Sequence, residues 1–158
     1  MTDARGGYTL VELVVTLTIF LILMAIAAPR FESMLAHVRT RGALNRVAVD
    51  LAYTRQLAAR TGSRARLEVV PAPDCPPPRI GAAGYRYRII ADADSVVYEV
   101  NLRLDGTPVC LTTNQSGEVV FDSRGLIVGF NNRTMSVRQG DHPPVSLTVS
   151  AVGRVLRN

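Results

Sequence analysis

The amino-terminal 28 residues limit the possible folds of this chain more than any other segment. A run from Tyr8 to Ala28 follows a short polar leader and contains one charged residue, Glu12. As a helix rising 1.5 Å per residue, this run is about 30 Å long, enough to cross a bilayer. A carboxylate inside a bilayer costs about 2.5–3.5 kcal/mol on insertion scales, so it usually marks function. It needs a cation or hydrogen-bond donors nearby, and the run contains no Lys or Arg.

The sequence from Arg5 to Leu13, RGGYTLVEL, resembles the amino-terminal signal of type IV pilins and pseudopilins. The resemblance implies that a prepilin peptidase cuts after Gly7 and methylates the new amino terminus on Tyr8. Glu12 is then the fifth mature residue, where the family keeps a glutamate, and it would pair with the amino terminus of a neighbouring subunit during assembly. Pro29 matches a proline that pilin-like chains often carry at this distance from the cut.

Two other interpretations of the apolar run compete with this one. Ala25-Ile26-Ala27 matches the small-x-small cleavage rule of a Sec signal peptide, which predicts a secreted β-protein whose mature chain begins near Ala28. The run could also be a plain single-pass anchor. Against the Sec signal, the run is long and carries Glu12, and Pro29 would lie just after the cut. A plain anchor leaves the spacing from Gly7 to Glu12 to chance, so we favour the pilin-like interpretation.

The arginines around the run give a conflicting signal about orientation. Arg30, Arg39, Arg41 and Arg46 follow it, whereas the leader has only Arg5. A positive-inside count places the following domain in the cytoplasm. The pilin resemblance places it in the periplasm, and we follow the motif.

A second apolar pattern extends the helix beyond the run. Pro29 removes one backbone donor and is expected to loosen the turn before it. The pair Arg46–Asp50 is expected on the solvent side, and Gly62 is expected to end the helix just past Arg60. Apolar residues at helical spacing form the stripe Leu44, Val47, Ala48, Leu51 and Ala58. The pattern predicts one helix from near Tyr8 to Arg60.

After Gly62 the pattern changes to short strands separated by turns. We predict strands at Arg64–Val70, Tyr85–Ala91, Val96–Leu104, Glu118–Phe121, Ile127–Phe130, Thr134–Arg138, Val145–Val149 and Val155–Leu156, with loops at Pro71–Gly84 and Gly140–Pro144. The expected fold is therefore α+β, with a long amino-terminal helix packed on a carboxy-terminal antiparallel β-domain. The expected divisions are a leader (1–7), a helix (8–61) and a β-domain (62–158). Within the helix, 8–28 is the transmembrane or filament-core part and 29–61 is amphipathic.

Two cysteines, Cys75 and Cys110, lie in the predicted β-domain. An even number in an exported domain permits a disulfide, whereas two free thiols are the alternative. A disulfide across this loop would stabilise the fold by about 3.5–4 kcal/mol in the chain-entropy model.

No residue pattern indicates an enzyme. His37 and His142 have no metal-ligand neighbours, the cysteines are not in C-x-x-C form, and G-x-S-x-G, phosphate-loop and H-E-x-x-H motifs are absent. We expect no catalysis, no metal, no cofactor and no small-molecule substrate.

The basic residues suggest a second function. The formal net charge is +5 and all 18 basic residues are Arg, a side chain that binds phosphate bidentately, although biased composition also explains the absence of Lys. In the tail, Arg154 matches the first arginine of the Gly-Arg-x-Arg motif with which FimT-type minor pilins contact DNA, but Leu156 stands at the second position and Arg157 follows it. Arg124, Arg133 and Arg138 would widen a basic patch.

The closing segments refine the resemblance to a branch of the family. Val120–Gly125 (VFDSRG) and Val149–Val155 (VSAVGRV) resemble the GspH/FimT branch of pseudopilins and minor pilins. This implies a non-enzymatic subunit with its β-domain in the periplasm, held in the bacterial inner membrane by one helix. Its partners are prepilin peptidase and other major and minor pilins, near the tip of a type II secretion pseudopilus or a type IV pilus. The alternative is a FimT-like minor pilin that binds DNA for uptake.

Overall fold

The protein is described by a computed structural model that covers residues 8–78, 80–92, 94–103, 108–129 and 131–157, without the side chains at 28, 29 and 157. The leader and Gly7 therefore lie outside the described residues. The chain forms two compact units, Met1–Leu35 and Ala36–Asn158.

One helix, α1, runs from Leu10 to Thr61 and confirms the predicted helix. The backbone is helical at position 29, where the proline side chain is outside the described atoms. The helix ends where Gly62 takes a positive φ of 66°, a conformation that costs glycine little and that commonly ends helices.

In the described part of the chain, nine strands follow the helix and form two antiparallel sheets. The strands are β1 (Ala65–Val70), β2 (Ala83–Gly84), β3 (Arg86–Ala91), β4 (Ser95–Asn101), β5 (Cys110–Thr113), β6 (Glu118–Phe121), β7 (Arg133–Arg138), β8 (Val145–Val149) and β9 (Val155–Arg157). Among the described residues, the order is β4-β3-β1-β6 in one sheet and β2-β5-β7-β8-β9 in the other. This confirms the predicted antiparallel β-domain.

The second half of α1 and both sheets share one hydrophobic core. Every residue of the predicted apolar stripe is buried, and Val47, Leu51 and Ala58 are fully so. They join strand residues that alternate inward along each sheet, as the period of two requires. The strand side of this core includes Leu67, Val69, Tyr87, Val119, Phe121, Met135, Val137, Leu147 and Val149.

Three predictions about the strands were wrong. Ile127–Phe130 is not a strand in its described part, because Ile127 makes one isolated bridge to Phe121 and Gly129 turns the chain at φ 99°. The expected loop Pro71–Gly84 ends in β2, and β5 was missed because Cys110–Thr113 is short and half polar. Leu104, the expected end of β4, lies outside the described residues.

The predicted position of Asp50 was also wrong. Arg46 Nε contacts Asp50 Oδ2 at 3.1 Å, but the Asp50 side chain is 5% exposed and faces the β-sheet. It accepts hydrogen bonds from the hydroxyls of Tyr87 (2.5 Å) and Tyr98 (2.7 Å). Burial, and then the hydrogen bond to Asp50, raises the pKa of both tyrosines above the ordinary value of a phenol. A carboxylate so placed is stable because two hydroxyls and a guanidinium replace its hydration.

Candidate assembly and anion-binding sites

Glu12 forms hydrogen bonds with the start of its own helix. Its Oε2 accepts hydrogen bonds from the backbone N–H and the hydroxyl of Thr9, both at 3.2 Å, while the Glu12 N–H donates to Thr9 Oγ1 at 3.2 Å. This reciprocal pair is a capping box, T-x-x-E, with Thr9 just before the first helical residue. The donors that a carboxylate in this position needs are therefore present within the subunit.

The capping box was visible in the sequence but was not predicted. Thr9 stands three residues before Glu12, at the start of an apolar helical run, which is the standard signature of a helix amino terminus. Glu12 was interpreted as an isolated charge in the apolar run, without its hydrogen-bond partner Thr9.

The apolar side chains in the first part of α1, from Leu10 to Ile26, are not buried by other described residues. Large apolar side chains from Leu10 to Ile26 are between 51% and 80% exposed. Within the described part of the chain, α1 is the one helix long and apolar enough to cross a membrane. Exposed apolar surface of this extent needs lipid or other apolar helices around it.

The two closing motifs lie side by side in the β-domain. Each forms a turn with a glycine at φ 75°: Gly125 donates its N–H to the Asp122 carbonyl at 2.9 Å, and Gly153 donates to the Ser150 carbonyl at 2.7 Å. A Cβ on Gly153 would lie 2.6 Å from the Gly125 carbonyl oxygen, so only glycine permits this approach. The Ile127 N–H also donates to the Ala151 carbonyl at 3.2 Å.

Arg55 on α1 holds these two turns together. Its Nη1 donates to the Gly153 carbonyl at 3.2 Å, and its side chain passes close to Gly125. Sequence reasoning missed this residue, although its spacing from Leu51 and Ala58 places it beside the apolar stripe of the helix. Its guanidinium can therefore reach the turns that the helix packs against.

Together these elements form an open groove, which we call the arginine groove. It is lined by Ala52, Arg55, Gln56 and Ala59 of α1, and by Arg124, Gly125, Gly153, Arg154 and Val155. Three guanidiniums line this groove, and Arg154 makes no ion pair with a described carboxylate. Such an arrangement can bind an extended anion.

One carboxylate lies next to the groove. Asp122 Oδ2 pairs with Arg124 Nη2 at 3.0 Å, and Arg124 remains 72% exposed. The backbone N–H of Leu126, followed by the hydrogen bonds from Arg124, lowers the pKa of Asp122 below its ordinary value. Asp122 therefore neutralises part of the groove's charge and orders the turn that presents Arg124.

Two of the other candidate arginines, Arg133 and Arg138, do not line this groove. Arg133 donates to Gln115 Oε1 and is half-buried. Arg138 lies at the opposite end of β7 from Arg133, about 17 Å away along the strand, and lines a different pocket. The backbone of Arg157 belongs to β9, but its side chain lies outside the described atoms. The structure thus brings Arg124 and Arg154 together, with Arg55, and separates Arg138 from them.

The two cysteines are joined in the structure. Cys75 and Cys110 form a disulfide that links the loop before β2 to the start of β5, and both residues are buried. In the described residues, no cluster of His, Cys, Asp and Glu could hold a metal ion.

Comparison with known proteins gives a match in sequence and similarity in structure. Residues 3–28 match the prokaryotic N-terminal methylation motif. The fold is similar to two crystal forms of the type IV minor pilin FimU from Pseudomonas aeruginosa (strain PAO1), with TM-scores of 0.57 and 0.55 and 16% sequence identity. The matches cover 77% and 75% of this chain, and 90% and 91% of the FimU chains. No curated protein matches the sequence.

These observations define the class of protein. A long amino-terminal helix followed by antiparallel sheets is the pilin fold, and the methylation motif lies at the start of that helix. The chain therefore has a pilin-like fold and carries the amino-terminal methylation motif.

Proposed function

We propose that this protein is a non-enzymatic minor pilin or pseudopilin subunit. Prepilin peptidase cuts it between Gly7 and Tyr8 and methylates Tyr8, after which it joins other pilins in a short filament. The observation that carries the proposal is the match of residues 3–28 to the methylation motif, which overlaps the start of a helix whose apolar side chains are exposed. The helix anchors the precursor in the inner membrane and later packs in the filament core, with the β-domain on the periplasmic side.

The capping box suggests how Glu12 takes part in assembly. Thr9 donates two hydrogen bonds to the carboxylate while the subunit is alone, which lowers the cost of placing Glu12 in the membrane. Cleavage after Gly7 creates a cation on Tyr8, close to the same carboxylate in sequence. The amino terminus of a neighbouring subunit can then replace one of the two Thr9 donors as a hydrogen-bond partner of Glu12.

The intact mass of the protein after coexpression with a prepilin peptidase tests this proposal. We expect loss of residues 1–7 and gain of one methyl group on Tyr8. A Gly7→Val variant should remain uncut, whereas the neighbouring Gly6→Ala variant should still be processed. A mature chain that begins near Ala28 in every variant would instead identify a Sec-exported protein.

The arginine groove favours a second candidate function, the binding of DNA. Arg55, Arg124 and Arg154 line one open groove, which a phosphate backbone could follow. Each phosphate neutralised contributes about −0.9 to the slope of log affinity against log salt concentration for duplex DNA. Contacts confined to phosphates would give little sequence preference.

Titration of DNA against the full chain in neutral detergent, at several salt concentrations, tests this candidate. We expect Arg124→Gln and Arg154→Gln/Arg157→Gln variants to weaken binding and to flatten the salt slope. The matched control is Arg60→Gln/Arg64→Gln, which removes the same charge as the tail double variant from exposed positions outside the groove. An equal loss in the control would mean that overall charge, not the groove, attracts DNA. Absence of binding at low salt would leave a subunit whose partners are proteins alone.

A further inference from the structure

A second pocket lies on the outer face of the five-stranded sheet and is not used by either proposed function. Its floor carries Thr112 and Ser136, which are paired across β5 and β7, and the exposed Arg138. Arg138 is paired in register with Cys110. The disulfide from Cys110 to Cys75 holds the loop that contains Cys75 beside this pair. The walls are formed by Pro76, Pro77, Pro78 and Pro144. We call this pocket the proline notch.

The walls of the notch are rigid and apolar. Proline has a fixed φ and no N–H, and a residue before proline is restricted to extended conformations, which applies to Pro76 and Pro77. The disulfide fixes the start of this segment at Cys75. The walls therefore provide preformed apolar surface and, because they consist of prolines, no backbone N–H donors.

The floor of the notch provides an unpaired cation. Asp74, next to the disulfide, is paired with Arg103 at 2.9 Å and is thus already neutralised. The Arg138 side chain has no carboxylate or hydrogen-bond partner among the described residues, although its backbone is paired in the sheet. The Thr112 hydroxyl donates to the Ser136 carbonyl at 3.2 Å, whereas the Ser136 hydroxyl has no partner in the described part of the chain. The notch therefore offers a guanidinium and a hydroxyl to an anion.

A single carboxylate fits this arrangement better than a nucleic-acid backbone. The planar fork of one guanidinium matches one carboxylate with two parallel hydrogen bonds. A phosphate backbone needs several cations along its path, and among the described residues that line the notch Arg138 is the one basic residue. Proline faces pack well against aromatic side chains, as in the recognition of proline-rich segments.

We propose that the proline notch binds an extended acidic segment of another protein subunit. A Glu or Asp of that segment pairs with Arg138 and Ser136, and a neighbouring aromatic side chain packs against the prolines. The notch is a contact to a partner subunit made through the β-domain, separate from α1 and from the arginine groove.

Titration of short peptides into the isotopically labelled full chain in detergent micelles, followed by NMR, tests the proposal. The probes are acetyl-Trp-Glu-amide, acetyl-Trp-Gln-amide and acetyl-Ala-Glu-amide. We expect the first to shift the backbone signals of Thr112, Ser136 and Arg138, and the other two to bind more weakly. Because a hydrogen bond to a charged group is lost, Arg138→Gln should weaken the first peptide by about tenfold or more.

The control variant is Arg64→Gln, which removes the same charge at an exposed position outside the notch and should leave binding unchanged. Equal binding of the Glu and Gln peptides, or full binding by Arg138→Gln, would overturn the proposal. Displacement of the peptide by an equal concentration of acetate, inorganic phosphate or a short DNA duplex would also overturn the proposal, because the site would then select charge alone. A failure here would not affect cleavage at Gly7, so the two proposals are tested separately.

Discussion

The two halves of α1 belong to one helix but differ in what surrounds them. Leu21, in the first half, is 67% exposed, whereas Leu51, in the second, is fully buried against the sheets. The second half is stabilised by the core of its own subunit. The first half is more apolar and has no such core, so its favourable environment must come from outside the chain. Apolar side chains at helical spacing thus indicate burial. Their position along the chain decides whether they are buried by the same chain or by its surroundings.

The largest expected effect of a single substitution is on assembly. Glu12→Gln should prevent incorporation into filaments, because the neutral amide no longer attracts the amino terminus of a neighbouring subunit. The β-domain should fold normally, since Glu12 lies in the other compact unit. Filament incorporation and the thermal unfolding of the β-domain measure the two effects. Normal incorporation of the variant would refute the role given to Glu12.

A pair of leucine substitutions sharpens the contrast between the two halves. Leu51→Ala should lower the free energy of unfolding of the β-domain by about 2–5 kcal/mol, through lost burial and the cavity left behind. Leu21→Ala, the same change in the first half, should leave that value unchanged. Urea unfolding followed by tyrosine fluorescence, in detergent, checks both variants, since the chain has no Trp. Equal losses would mean that both halves contribute to one core.

Alkaline pH should destabilise the unit Ala36–Asn158 through Tyr87, which is buried, and Tyr98, which is half-buried. Folding raises the pKa of Tyr87 and Tyr98, so their protonated hydroxyls are retained in the folded state. Their stabilising effect is fully present below the unfolded pKa of about 10 and is lost as the pH rises above it. The free energy of unfolding should then fall by about 1.4 kcal/mol per pH unit for each tyrosine.

Because the chain has no Lys and its cysteines form a disulfide, tyrosines are the side chains expected to titrate just above pH 10. Phenolate absorbance follows their ionisation, and urea unfolding at each pH gives the slope of the free energy of unfolding. Tyr87→Phe and Tyr98→Phe should each remove one tyrosine with a raised pKa and reduce the slope of the free energy of unfolding against pH. Tyr85→Phe is the matched control outside the Asp50 cluster. A slope that none of the three substitutions alters would show that other groups cause the alkaline loss.

Sequence reasoning predicted the features that depend on local pattern and failed where distant contacts decide. The stripe from Leu44 to Ala58 and the helix end at Gly62 follow from spacing and backbone preference, so both were predicted correctly. Asp50 was placed on the solvent side because its partners Tyr87 and Tyr98 come from strands whose arrangement the sequence does not specify. A charged residue in an exposed i,i+4 pair and one in a buried cluster have the same local pattern.

The candidate sites show the same division. The methylation motif at residues 3–28 is local, and the sequence was sufficient to find it. The arginine groove joins Arg55 of the helix to Arg124 and Arg154 of two separate turns, and the Gly153–Gly125 approach that aligns them is a tertiary contact. Arg138 was grouped with Arg124 and Arg154 because all three lie in the carboxy-terminal third. Sheet register then placed it at the far end of β7.

The smallest expected effect concerns the capping box and is local to the first turn of α1. Thr9→Ala removes both the hydroxyl that donates to Glu12 and the oxygen that accepts from the Glu12 N–H. Loss of such a cap should destabilise the helix start by about 0.5–2 kcal/mol. Faster amide hydrogen exchange at positions 10–13 in detergent would report this change, and Thr9→Ser, which keeps the hydroxyl, should retain the wild-type rate. Because the first half of α1 has no core of its own, its start depends on these local bonds more than the second half does. An unchanged rate in Thr9→Ala would mean that the surrounding apolar medium alone holds the first turn, and the contrast between the two halves would then extend to their backbone hydrogen bonds.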